Sequence, residues 1–501
     1  MKRRTFVHST LTAAAALALP RARPLSAFYR VVGQDVPDVA AVTGDGKPIT
    51  LKGAEIAQLA ARLRGRLLLA KDEGYDQARR ILNPSFDKYP ALIAQPTGVA
   101  DIRATVEFAG AHSLLVAVKC GGHSFSGAST CDRGLQIDLS AFRGVRVDPA
   151  ARRAWVAGGT LLGQVDHEAM SHGLVTPLGT VSHTGVGGLT LGGGFGRVAR
   201  RFGLAIDNLA AVDIVTADGT LRHASADENP DLFWGVRGGG GNFGIVTTFE
   251  FRLHPMAREV VGGDIVFPIA KARDLLTMWA DYSVNCPDEL YMDPFMDLPP
   301  GGEPGVCGLS VCYSGPADQA ERALVPIRQL GTAMADEINA VDYVALQRAH
   351  DQTDPRAVGI YLKGGFIPAI PANLLDVVLG GFEGHPARGT SFFCQHGGGA
   401  IGRVANDATA FSHREAKANM LAAVSWTMGD DASEHTRWIK AYWGTLERFT
   451  DGFYVNDTDP NATAKEIDAN YGTNYPRLVA LKKQYDETNL FRLNANVKPT
   501  G

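Results

Sequence analysis

The sequence predicts an α+β protein, on three observations. Short apolar alternations recur between stretches of helical periodicity along the whole chain. Glycines crowd into loops bordering those alternations. Composition then changes at His254-Pro255, beyond which helices mix with short strands in a pattern that suits a mostly antiparallel sheet covered by helices. A chain of 501 residues, 45% hydrophobic and 20% charged, has ample material for such a core. Net charge is only -4, with Lys and Arg scattered, so no basic stripe invites nucleic acid.

The N-terminus comes first. Lys2-Arg3-Arg4-Thr5-Phe6-Val7 is a twin-arginine sequence leading into the apolar run Leu11 to Leu19. That run is too short to span a bilayer, so residues 1–27 are expected to be an export signal, with Leu25-Ser26-Ala27 as a cleavage site. No cysteine follows closely, so no membrane anchor is expected, and the protein should be periplasmic or secreted. Export in folded form hints at a cofactor inserted beforehand. The six cysteines show no CxxC and no zinc spacing, so no metal is expected; Cys307 with Cys312 is a candidate disulfide, and free buried thiols are an equal alternative.

Gly53 to Glu73 reads as an amphipathic helix, and Ala100 to Ala111 as another leading into the strand Leu114 to Val118. Strands follow at Leu135–Leu139 and Ala154–Ala157, a helix at Leu161–Ser171, and a glycine-dense loop from Gly179 to Gly196. Leu209–Thr216, Thr220–Ala224 and Ile245–Leu253 complete this block. Beyond it, helices are expected at Ala270–Tyr282, Ala317–Leu330, Ser433–Phe449 and Tyr475–Gln484, with strands at Gly308–Tyr313, Val358–Leu362, Thr390–Gln395 and Ala422–Met428.

Gly239-Gly240-Gly241-Asn242-Phe243-Gly244 fits G-x-G-x-x-G, but a β-branched, aromatic strand follows it rather than a helix, so the dinucleotide fingerprint fails on context. Three glycine loops nevertheless fall within about 125 residues: Gly121-Gly122, Gly185 to Gly196, and Arg237 to Gly244. Backbone N–H groups freed of side chains converge on anions, so together the loops read as a cradle for a diphosphate cofactor. His123 stands at the mouth of the first.

These residues resemble a known family. Lys119-Cys120-Gly121-Gly122-His123-Ser124, the Gly185-Val186-Gly187-Gly188 and Gly192-Gly193-Gly194-Phe195-Gly196 run, and Asp231 through Val246 resemble the FAD-binding domain of the vanillyl-alcohol oxidase / p-cresol methylhydroxylase superfamily. Tyr454-Val455-Asn456, Asn470 to Tyr475 and Tyr485-Asp486 place the likeness among the berberine-bridge-enzyme-like oxidoreductases, over roughly residues 85 to 498. The resemblance implies a two-part FAD-binding domain over 28–255, a substrate domain over 256–448, and a C-terminal segment, 449–501, that returns to the FAD domain. It implies FAD held by a single covalent link to His123, with Cys120, Gly121, Gly122, Ser124, Gly127, Val181, Thr184, Gly185, Gly188, Asn242, Gly244, Ile245, Val246, Asn494 and Asn496 around the cofactor. Doubly linked members carry a cysteine at the position of Val181, so a second bond there is excluded.

Such enzymes draw a proton from O–H or N–H while the adjacent C–H passes as hydride to the flavin, so they need a base tuned near working pH. Plant relatives use a glutamate where this chain has Arg403, which cannot act as a base but could bind an anion or stabilise negative charge. Carbohydrate-oxidising relatives use the second tyrosine of Tyr-x-Asn-Tyr, which here reads Tyr454-Val455-Asn456-Asp457. Asp457 and Tyr454 are therefore candidate bases, Asp457 with a turn residue as its equal alternative. Gln395, His396 and His413 are weaker candidates, for which a structural role is favoured. Thr184, small and polar where bulky residues close relatives to oxygen, favours an oxidase of a small alcohol, sugar or amine. The alternatives are a dehydrogenase feeding a periplasmic electron acceptor and a flavin-bearing binding protein without turnover.

Overall fold

A computed structural model describes residues 36–351, 358–459 and 461–500; the twin-arginine segment and its cleavage site lie outside them. The helix expected from Gly53 to Glu73 ends early. It forms as α1 (Gly53–Arg62), and the chain then continues as strand β1 (Arg66–Leu68). The buried Asp101 carboxylate accepts from the backbone N–H groups of Arg64 and Gly65 at 2.9 and 3.0 Å, which peels the chain off its helical path despite the periodicity.

With β2 (Leu92–Gln95), helix α2 (Val99–Ala111), β3 (Val116–Lys119) and β4 (Leu135–Asp138), β1 builds a four-stranded sheet ordered β1-β2-β4-β3. Only β1 runs antiparallel to its neighbour. A second, wholly antiparallel sheet follows. Its strands are β5 (Val145–Asp148), β6 (Arg153–Ala157), β7 (Leu209–Val215), β8 (Leu221–Ser225) and β9 (Ile245–Arg252), ordered β8-β7-β9-β6-β5. Because β9 is a strand, the Gly239–Gly244 turn opens no helix. Helix α3 (Leu162–Met170) lies between β6 and the glycine-dense region. That region is not all loop: it holds the two-turn helix α4 (Val186–Gly192), closed at Gly193, whose φ of 136° suits glycine alone.

The third sheet, of eight strands, is built on β10 (Glu259–Pro268), β11 (Leu290–Leu298), β12 (Val306–Tyr313), β13 (Val358–Ile367), β14 (Gly389–His396) and β15 (Ala418–Thr427). These six run β10-β12-β11-β14-β15-β13, all antiparallel, and two short strands pair with β10. Helices α5 (Ala272–Ser283), α6 (Ala317–Arg328), α7 (Ala372–Gly381) and α8 (Ala432–Leu446) cover one face. Trp279, Leu324, Leu375 and Trp443 from those helices bury against Ile265, Met292, Leu309 and Met420. Period-two alternation then decides what the other face carries. Phe392 and Cys394 point into this core, whereas Phe393 and Gln395 point away from it, toward the first two sheets.

Helix α9 (Tyr475–Tyr485) and the tail after it pack back on the second sheet. All six cysteines are free, five of them buried. Cys307 and Cys312 sit five residues apart on the one strand β12, so they face opposite sides, and their expected pairing is corrected.

Candidate active site

A cavity of about 440 Å³ opens between the glycine loops and the bare face of the eight-stranded sheet. Its first wall is mostly backbone. The Cys120–Ser124 turn, leaving β3, interlocks with the Gly185 turn so closely that a Cβ on either Gly121 or Gly185 would sit 2.3 Å from the backbone nitrogen of the other. Gly122, at φ 71°, lets the chain reverse and present His123 to the cavity.

His123 is held from both ring nitrogens. Its Nε2 is 2.6 Å from Nδ1 of His183, and its Nδ1 is 3.2 Å from the Thr184 hydroxyl. Burial, with the neighbouring His183, pushes its pKa down to about 3, so at neutral pH it is an uncharged imidazole with a lone pair to give. Burial has the reverse sense for the Cys120 thiol, pushed up to about 11 and therefore inert.

Among the expected cofactor residues, Cys120, Gly121, Gly122, His123, Ser124, Val181, Thr184, Gly185, Gly188, Gly244, Ile245, Val246 and Asn494 line the cavity. Three others do not, and their expected role changes. Gly127 shapes the preceding turn beside Phe86 at φ 72°. Asn242 is fully buried, donating to the carbonyls of Gly239 at 2.8 Å and Ala495 at 3.0 Å and accepting from Val497 N–H at 3.0 Å, so it ties the third glycine loop to the tail. Asn496 lies one residue beyond the last lining residue of that tail, Ala495.

The second wall is made of side chains: Phe393 and Gln395 from β14, Leu421 from β15, and the turn Tyr454–Thr458. The Tyr454 hydroxyl accepts from Gly194 N–H at 2.9 Å and from Asn456 Nδ2 at 2.7 Å, and burial carries its pKa well above the usual phenol range. Asn456 also donates to the Leu189 carbonyl of α4 at 3.1 Å, tying the turn to that helix. Asp457 differs from its neighbour. Burial raises its carboxyl to about 6, opposed only by one side-chain donor, Asn419 Nδ2, at 2.9 Å. That same amide group donates to Gln395 Oε1 at 2.9 Å, so β14, β15 and the Asp457 turn share one polar relay.

Arg403 is corrected. It is exposed, paired with Asp288 at 2.6 Å, and borders a separate small pocket with Arg200 and Lys417. His396 accepts Met292 N–H at 3.2 Å inside the sheet, and His413 binds Asn470 and stacks on Phe366, so both are structural. His183 and Asn419 escaped the sequence reading. Ser182-His183-Thr184, directly before a glycine motif, could have drawn attention; nothing local marks Asn419.

Neutral histidine, glycine-backbone cradle and facing antiparallel sheet together define an FAD-dependent oxidoreductase of the p-cresol methylhydroxylase type. Comparison with known proteins carries this further. Residues 90–225 match the model described as FAD binding domain, and 453–498 the one described as berberine and berberine like. An FAD-linked oxidoreductase of Dictyostelium discoideum is 33% identical over 414 residues, 82% of this chain and 89% of that protein. (R)-6-hydroxynicotine oxidase of Paenarthrobacter nicotinovorans is 30% identical over 456 residues, 88% of this chain and 98% of that protein. The crystal structure of 6-hydroxy-D-nicotine oxidase from Arthrobacter nicotinovorans superposes with a TM-score of 0.80 at 29% identity, covering 87% and 98% of the two chains. The chain belongs to the berberine-bridge-like FAD-linked oxidoreductases, and it is an enzyme.

Proposed function

We propose that this enzyme is an oxidase of a small alcohol, sugar or amine, carrying FAD on a single bond to His123 and using Asp457 as its base. The observation that carries the reading is that His123, uncharged, and Asp457, raised to about 6, line the same cavity.

The cavity fits the cofactor. Ser129 Oγ and Asn494 Oδ1 border it, buried and without a hydrogen-bond partner among the described residues, as the lining of a polar ligand should be. Backbone N–H groups of the Cys120–Ser124 turn would hold the diphosphate, and the Gly185 and Gly244 loops would flank the rings. FAD, when bound, accepts the hydride and hands its electrons on.

The chain's own work is binding and proton transfer. Phe393 and Leu421 offer an apolar surface, and Gln395 offers an amide to the substrate heteroatom. Asp457, ionised above about pH 6, takes the O–H or N–H proton, and Asn419 keeps its carboxylate aimed. Tyr454, with its oxygen already taken by two donors and its pKa raised, orients the turn instead.

Oxygen as acceptor is supported by the modest Thr184 and by the oxidases among the relatives. We place the enzyme outside the cytoplasm on the strength of Arg3-Arg4, which export of a double-Lys variant would contradict. A panel of alcohols, sugars and amines mixed anaerobically with the holoenzyme tests turnover by bleaching of the flavin. Air then tests the acceptor: stoichiometric peroxide is expected, and reoxidation only by an added electron acceptor overturns the oxidase.

A further inference from the structure

One cavity residue is given no task by that reading: His183. The loop that carries it is pinned, because the Ser182 backbone N–H and hydroxyl both donate to the Asp351 carboxylate, at 2.9 and 2.5 Å. From this loop His183 Nδ1 reaches within 2.6 Å of His123 Nε2, with ring centroids 4.6 Å apart. Two imidazole nitrogens at such a separation share a single hydrogen.

The position of that hydrogen decides which atom of His123 is reactive. With the hydrogen on His123 Nε2, donated to His183, the lone pair lies on Nδ1, which among the described residues meets the Thr184 hydroxyl at 3.2 Å, a rotor able to turn aside. With the hydrogen on His183 instead, Nε2 is occupied as acceptor, Nδ1 carries its own hydrogen, and His123 has no lone pair to offer.

We propose that His183 is the positioning residue and proton acceptor for attachment of the cofactor: it holds His123 as the Nε2–H tautomer and takes that hydrogen when Nδ1 bonds to the flavin's ring methyl. This rests on the tether proposed above. In the reaction a methyl C–H bond and the Nε2–H bond break and a C–N bond forms. The methyl carbon loses two electrons, which pass through the ring to dioxygen, and the two released protons leave with them as hydrogen peroxide.

The test reads the bond, independently of turnover. Wild-type holoenzyme is precipitated in acid, the flavin retained by the polypeptide is measured, and the atom of attachment is assigned by NMR of the flavin peptide. Attachment at Nδ1 is expected; attachment at Nε2 overturns the proposal whatever any variant does. His183→Ala should bind FAD at the same stoichiometry yet attach it about 100-fold more slowly, the usual cost of losing a positioned base. Added imidazole should restore the rate, which a packing role would not produce. Attachment at the wild-type rate in His183→Ala overturns the proposal. The tether itself fails separately, if wild-type protein releases all its flavin in acid or if His123→Ala retains it.

Discussion

The two walls of the cavity are built by opposite means. The cofactor wall depends on what its residues lack: Gly121 and Gly185 approach until no Cβ fits between them. The substrate wall depends on what its residues carry, and it gathers Gln395, Asn419 and Asp457 from three separate segments through hydrogen bonds. A wall of bare backbone is fixed by fold and serves one invariant ligand. A wall of side chains can be re-lettered one position at a time, which suits a family whose members oxidise different molecules.

That contrast is open to experiment. The largest effect is expected from Asp457→Asn, which should lower kcat by about 10²–10⁴-fold while leaving FAD content unchanged. In the unaltered enzyme the carboxyl, raised to about 6, is the working base only when ionised, so kcat/KM should climb as pH rises through that value and then level. Asn at 457 should remove the limb, and a limb that survives would assign the base elsewhere.

Lys482→Met addresses the support of the cofactor wall. Lys482 and Asp486 are fully buried partners at 2.6 Å, and Lys482 also donates to the carbonyls of Asn242 at 2.8 Å and Phe491 at 2.9 Å. Stranding the carboxylate should cost about 3–5 kcal/mol in urea unfolding, with loss of FAD. Gly185→Ala should be milder, about 1–3 kcal/mol of strain from a Cβ pressed on the Gly121 backbone, read as weakened FAD retention without a change in pH profile. Arg403→Ala should do least. Its pair with Asp288 is exposed and remote from the cavity, so stability should move by less than about 0.5 kcal/mol and KM should hold. A raised KM would return Arg403 to the site.

The same contrast explains what was legible in the sequence. Gly121-Gly122-His123 and Gly185 to Gly188 are contiguous, and Gly121, Gly122 and Gly185 stand where a side chain would clash or strain the backbone, so the cradle could be read directly. Strand positions such as Ile245–Arg252 were plain because their alternation is long and uninterrupted. Asn419 was invisible, because its meaning comes from the register that sets it opposite Gln395 across β14 and β15. Arg403 misled for a related reason: alignment along the chain put it after the glycines at the end of β14, but the one-turn helix Gly399–Arg403 carries it to the outer surface. Helix α1 ended early because Asp101, some forty residues on, recruits the backbone of Arg64 and Gly65, a competition no local pattern records.

The knot at Asn242 has a consequence for biosynthesis. The third glycine loop is fastened by Ala495 and Val497, and through Lys482 to Phe491, segments translated after the entire eight-stranded sheet. A nascent chain whose residues 491–497 are still inside the ribosome therefore has no finished cradle, however well its early sheets have formed. Flavin loading must wait until residues 491–497 have emerged, and removing them should cost the cofactor before it costs the fold.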